Sequence, residues 1–218
     1  MASSAKPSFP RSDLQRIAWA LLLMVGLAVL FIGTIVSLTP VVGSGPARLA
    51  AVASALILGG WGLVRGGATL ESLGLRREGL GAAVLRGVAG AFGIGAVLVL
   101  LLFHRGGAEA VYEALLTPSL AERLPYLAIG VMASVLEEPL FRGYLQPLAM
   151  RRFGPRGGLL GTALLFAVVH GRALQWPPHA LVGKVATGLG LGLLRGRDRS
   201  LAGPLVAHAL VWFLFGMA

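Results

Sequence analysis

Leu124 to Met150 reads LPYLAIGVMASVLEEPLFRGYLQPLAM, an apolar run that holds two adjacent acids, a proline and an arginine at its centre. A bilayer core is crossed by roughly 20 apolar residues, and a charge near its middle costs about 2.5–3.5 kcal/mol to insert. A run of this length and content is a transmembrane helix whose charged groups face protein or a wet cavity. Comparable runs lie on both sides of it, at Ile17 to Leu38, Ala47 to Val64, Leu80 to Phe103, Gly158 to His170, His179 to Leu194 and Leu201 to Met217. The pattern predicts an all-α, polytopic transmembrane helical bundle of about seven spans. A re-entrant segment around Gly171 to Pro178, shielded from lipid by protein, would make eight.

The composition agrees: 56% of residues are hydrophobic, 13% are charged and the mean hydropathy is +0.80, values that exclude a water-soluble globular domain. The net charge of +10 does not point to nucleic acid, because the cations fall in short clusters between apolar runs. Alternate loops collect thirteen of them: Lys6, Arg11, Arg16, then Arg65, Arg76, Arg77, Arg86, then Arg151, Arg152, Arg156, then Arg195, Arg197, Arg199. The opposite loops hold four, Arg48, Arg105, Arg123 and Arg172. By the positive-inside rule residues 1–16 form a cytoplasmic tail, and 17–218 a single membrane domain with its chemistry at about 124–217. A bacterial inner (plasma) membrane is the expected location. The first run is read as an uncleaved span, since it outlasts the apolar region of a signal peptide. The small residues of Gly90 to Gly95 and Gly188 to Gly192 predict closely packed helices.

The chain has no cysteine, so disulfides, thiolate metal sites and thiol nucleophiles are excluded and chemistry is left to Glu, His, Ser and Lys. Once the loop cations are counted, Glu137, Glu138, Arg142 and Lys184 are the charged residues left within apolar runs. Glu138 and Arg142 stand four apart with the acid first, the favourable order for a helical ion pair. Glu137 lies about 100° around the helix from its neighbour, out of easy reach of the same arginine. A carboxylate held in such a place without a cation suits a general base. Pro139 removes a donor and crowds the carbonyl of Val135, which predicts a kink beside the acids. His170 and His208 are imidazoles able to bind metal, polarise a carbonyl or donate to an oxyanion, or simply to bond helix to helix. Lys184 could neutralise either acid, but snorkelling to the interface is the simpler reading. His104, His179, Trp19, Trp61 and Trp176 sit at span ends, where interfacial residues need no further role.

Glu137-Glu138-Pro139-Leu140-Phe141-Arg142 resembles the E-E-x-x-x-R motif of the CPBP family, the CAAX proteases and bacteriocin-processing enzymes also called Abi. Phe166 to His170 is similar to the family's F-x-x-x-H, and His208 stands where its H-x-x-x-N begins. The resemblance covers about Leu124 to Met217. It implies an intramembrane endopeptidase with a cavity open to the cytoplasm, acting on a peptide or membrane-anchored protein. Glu137 would activate water, His170 would position it, and His208 would line the same site, with Glu138, Arg142 and Phe166 in support. It leaves open whether zinc is held by His170, His208 and Glu137 or the reaction is metal-independent. Trp212 stands where the family places Asn, a donor whose loss from an oxyanion hole typically costs about 10²–10³ in rate. A second reading is therefore a catalytically weak relative acting as membrane scaffold or immunity protein. A third is a proton-coupled transporter using the two acids. The runs also place His170 near the external end of its span and Glu137 and His208 nearer mid-bilayer. Convergence then requires the fifth span to start later and dip back, or the following loop to lie elsewhere.

Overall fold

The structure is a computed structural model that describes residues 12–170 and 178–216. The expected re-entrant stretch, with Arg172 and Trp176, lies outside the described residues apart from Pro178, as do Lys6 and Arg11. Among the described residues there are helices and no strand. They pack as two compact units, residues 1–69 and 70–218.

The first unit is a helical hairpin of α1 (Asp13–Val42) and α2 (Ser44–Arg65). Ser12 and Gln15 cap α1 reciprocally, side chain to backbone in both directions. The reversal falls at Gly43, whose φ of 82° suits glycine. The two helices approach where Gly62 packs on Leu23, and the Trp19 indole N–H donates to the Gly62 carbonyl at 2.9 Å. Trp19 is thus a helix-to-helix tie as well as an interfacial residue. Leu22, Val25, Val29, Ile32 and Val36 of α1 are exposed, an apolar surface suited to lipid.

The second unit begins with the single turn α3 (Leu70–Leu73), followed by α4 (Leu80–Leu115), which breaks at Gly106 and Gly107. Ser119 and Glu122 form the capping box that opens α5 (Leu120–Glu138). A seven-residue π-helical stretch, Pro139–Leu145, then leads into α6 (Gln146–Val169), α7 (Pro178–Asp198) and α8 (Ala202–Phe215).

The π-helical stretch is where the proline expectation is modified. Pro139 has no N–H to donate, and the helix answers by widening: the N–H of Gln146 bonds to the carbonyl of Phe141, five residues back. A wider turn offers carbonyls to outside donors. Arg195 Nε donates to the Arg142 carbonyl at 3.0 Å, which ties α7 to the turn. Arg195, read from sequence as a loop cation, is buried.

At Gly154 (φ 77°) α6 reverses on itself, and a β-carbon at Gly158 would collide with the Met150 backbone. The two legs run antiparallel from there. At 1.5 Å per residue, Glu137 lies about 26 Å along one leg from Gly154 and His170 about 24 Å along the other. The near-equal lengths bring Glu137 and His170 to the same height on the hairpin, where they meet.

Arg123, expected in an external loop, is also buried. Its guanidinium donates to the carbonyls of Ala114 and Leu115 at the end of α4, to Phe213 and Leu214 of α8, and to Pro118, at 2.6 to 3.4 Å. A cation here meets the C-terminal carbonyls of two helices at once. Arg123→Met should lower unfolding stability by about 2 kcal/mol or more, seen as a reduced thermal midpoint in detergent, because hydrogen bonds to charged groups contribute about 1.5–3 kcal/mol each.

Four helical segments among the described residues are long and apolar enough to cross a membrane: Asp13–Val42, Ala47–Arg65, Leu80–Leu115 and Leu120–Val169. Helix α8 is apolar but has 14 residues. The chain is a multi-pass membrane protein.

Candidate active site

The antiparallel legs of α5 and α6 put like-spaced motifs face to face. Glu137 and Phe141 lie four apart on one leg, and Phe166 and His170 lie four apart on the other. Phe141 meets Phe166 edge to face at 5.2 Å between ring centres, and Glu137 Oε2 meets His170 Nε2 at 3.6 Å. That distance is longer than a hydrogen bond and short enough for one shared water.

The tautomer of His170 follows from its other nitrogen. Nδ1 lies 2.6 Å from the Phe166 carbonyl, which can only accept, so Nδ1 carries the proton. In the neutral ring Nε2 then presents a lone pair toward Glu137. The Phe166 ring stacks at a tilt on His170, 4.4 Å between centres, and so fixes its plane. Glu137 Oε2 is buried without a hydrogen-bond partner among the described residues, although the side chain keeps 29% of its exposure.

Glu138 is fully buried and belongs to a different set. Its Oε1 accepts from Arg142 Nη1 at 3.5 Å and from His208 Nδ1 at 2.8 Å. The pairing of Glu138 with Arg142 is the one the spacing predicted; the histidine was not assignable from sequence. Arg142 also donates to the Gly188 carbonyl at 3.1 Å and lies over the Phe166 ring at 4.3 Å. This contact needs a glycine, because a β-carbon at 188 would press on the Ala163 backbone at 3.0 Å. Gln146, one turn on, repeats the device with the Gly192 carbonyl at 2.9 Å. The glycines of α7 thus bring its backbone carbonyls to two buried donors of the motif helix.

His208 has both ring nitrogens engaged. With Nδ1 donating to Glu138, Nε2 is the acceptor, and the Trp212 indole N–H donates to it at 3.3 Å. Gly130 of α5 makes room for this corner, since a β-carbon there would meet the Trp212 Cβ at 2.5 Å and the Ala209 carbonyl at 2.8 Å. Beside the corner opens a cavity of about 450 Å³, lined by Phe166, Lys184, His208 and Trp212 and by apolar residues such as Leu98 and Phe215. Lys184 Nζ lies 5.5 Å from the centre of the Trp212 ring. It therefore faces the cavity, where snorkelling was the simpler expectation.

Residues 118–214 match the Rce1-like family, described as type II CAAX prenyl endopeptidase Rce1-like. This segment, somewhat under half of the chain, is similar to the CAAX proteases. The matched segment contains every residue of the two sets above. No curated protein and no solved structure matches the chain.

The Rce1-like segment can be tested against zinc, which needs three protein ligands and an open position for water. Among the described residues no group of three His, Asp or Glu side chains could hold a metal ion. His170 Nε2 and Glu137 face each other, but His208 has no lone pair to give while Trp212 donates to its Nε2. The expected set of His170, His208 and Glu137 does not fit zinc. Sequence reasoning missed Trp212 as a partner of His208, although their four-residue spacing on α8 carries the signal.

Proposed function

We propose that the chain is a membrane-embedded endopeptidase that hydrolyses peptide bonds with water activated by Glu137, in a cavity reached from the cytoplasmic side. The observation that carries this is the Glu137–His170 pair, an acceptor carboxylate and an acceptor imidazole nitrogen 3.6 Å apart within the Rce1-like segment. Water shared by them is polarised from both sides: each acceptor takes one O–H, and both oxygen lone pairs stay free, one of them to attack the scissile carbonyl. Glu137 removes the proton as the C–O bond forms and returns it to the leaving amine as the C–N bond breaks. His170 orients the water, and the Glu138–Arg142–His208 cluster holds α5, α7 and α8 in register. The reading proposed is the metal-independent one, supported by the lack of a group of three His, Asp or Glu side chains able to hold a metal among the described residues.

The family description supports a substrate with a CAAX-type C-terminus, and the apolar cavity wall suits a lipidated chain. Counting Leu120–Val169 as two legs and adding α7 and α8 supports seven crossings. The arginine bias supports a cytoplasmic N-terminus in a plasma membrane. The test is cleavage of a quenched-fluorescent CAAX peptide, farnesylated or unmodified, by the purified protein in proteoliposomes. Cleavage that survives 1,10-phenanthroline and is lost with His170→Ala is the expected result; chelator-sensitive cleavage would point to a metal enzyme.

A second reading, a non-catalytic membrane scaffold or immunity protein, is favoured by Trp212 closing His208 Nε2. It predicts no cleavage by the wild type under any of these conditions. Proton-coupled transport, the third, is tested by uptake in the same vesicles.

A further inference from the structure

Activating water is half of peptide hydrolysis; the carbonyl oxygen must also be met by a donor as it gains charge. The cavity wall offers few. The Trp212 N–H donates to His208 Nε2, the His208 Nδ1–H to Glu138, and the Thr187 hydroxyl to the Gly183 carbonyl at 2.9 Å. Among the described residues the two cations on the wall are Arg105 and Lys184. Arg105 is exposed, beside the break in α4. Lys184 is half-buried on α7, rests on the Trp212 ring, and interacts electrostatically with both Glu137 and His170. Of the two wall cations it is the one that interacts with the Glu137–His170 pair.

We infer that Lys184 is a further catalytic residue, the cation that stabilises the oxyanion of the scissile carbonyl. The inference rests on the protease reading above. As water adds, the carbonyl π pair moves to oxygen and the negative charge develops against the Lys184 ammonium. Collapse returns that pair to the carbon, expels the amine with the proton held by Glu137, and leaves a carboxylic acid that ionises. An ammonium carries three donors, so a partner in the resting protein does not exhaust it. The tryptophan at 212 has two consequences: it engages His208 Nε2, and its face seats the ammonium by a cation–π contact. The donor function moves from α8 to α7.

The absence of cysteine makes the test clean. Lys184→Cys provides a unique thiol. Alkylation with 2-bromoethylamine rebuilds an ammonium with sulfur in place of one methylene, and iodoacetamide gives a neutral adduct on the same folded variant. With the CAAX peptides as substrate, the neutral adduct should lose about 10²–10³ in kcat with KM within about threefold, and the ammonium adduct should recover to within about tenfold of wild type. Comparable melting of the two adducts controls for folding. Wild-type kcat in the neutral adduct, or equal loss in both adducts, would overturn the role of Lys184 and leave the protease reading intact. Failure of the unmodified wild type to cleave either peptide would remove that reading itself.

Discussion

Glu137→Gln should lower kcat for peptide hydrolysis by about 10²–10⁴, the range contributed by a positioned general base. The amide keeps the size and one acceptor of the carboxylate but cannot take a proton from water. Stability should change little. Glu137 makes no short hydrogen bond among the described residues, its neighbour His170 is 3.6 Å away, and its side chain is partly exposed, so no buried ion pair is broken. Steady-state kinetics on the quenched-fluorescent peptide, beside a thermal melt in detergent, measures both quantities. A variant that loses activity only by unfolding would assign Glu137 to the scaffold.

Arg142→Met should have the opposite profile, with a loss of about 3–5 kcal/mol in unfolding free energy. Removing one member of a buried pair leaves the other charge uncompensated. Here the orphan would be Glu138, fully buried, with His208 as its remaining hydrogen-bond partner among the described residues. The Gly188 carbonyl would lose its donor as well, and with it one tie between α7 and the π-helical stretch. Methionine fills much of the arginine volume against Phe166, so the cost is electrostatic more than a matter of packing. The double variant Glu138→Gln with Arg142→Met should recover a large part of the loss, because it removes both charges. Denaturation in detergent checks this, and equal melting of Arg142→Met and wild type would mean that the pair contributes nothing.

Much of this arrangement is legible in the residues. Apolar length gives the helices, and four-residue spacing gives the Glu138–Arg142 pair. The like spacing of Glu137 with Phe141 and of Phe166 with His170 explains why the two motifs meet, once the chain is known to reverse at Gly154. That reversal was the obscure step. A lone glycine before a proline inside an apolar stretch looks like any tolerated small residue, and only the backbone shows φ at 77° and Gly158 seated on Met150.

Tertiary pairing was hidden for a similar reason. His208 is seventy residues from the acid it binds, and spacing cannot say which of two adjacent glutamates a distant ring will choose. Pro139 announced a disturbance, but whether a helix kinks or widens depends on donors elsewhere, here Arg195 from α7. Arg123 and Arg195 were counted with the topology signals because a cation at a helix end looks the same in sequence whether it meets lipid headgroups or carbonyls. Lys184 reads as interfacial in the sequence because the cavity it lines is made by four helices at once.

The central claim is that one glutamate and one histidine, on opposite legs of a hairpin, act together on a single water. A double-mutant cycle on kcat measures it most directly, with Glu137→Gln, His170→Ala and the double variant assayed on the same CAAX peptide. Two groups that share one water should be strongly non-additive, so the double variant should be about as slow as the slower single one. Losses that multiply, or a His170→Ala variant as fast as wild type, would show that the two side chains do not work on the same molecule of water.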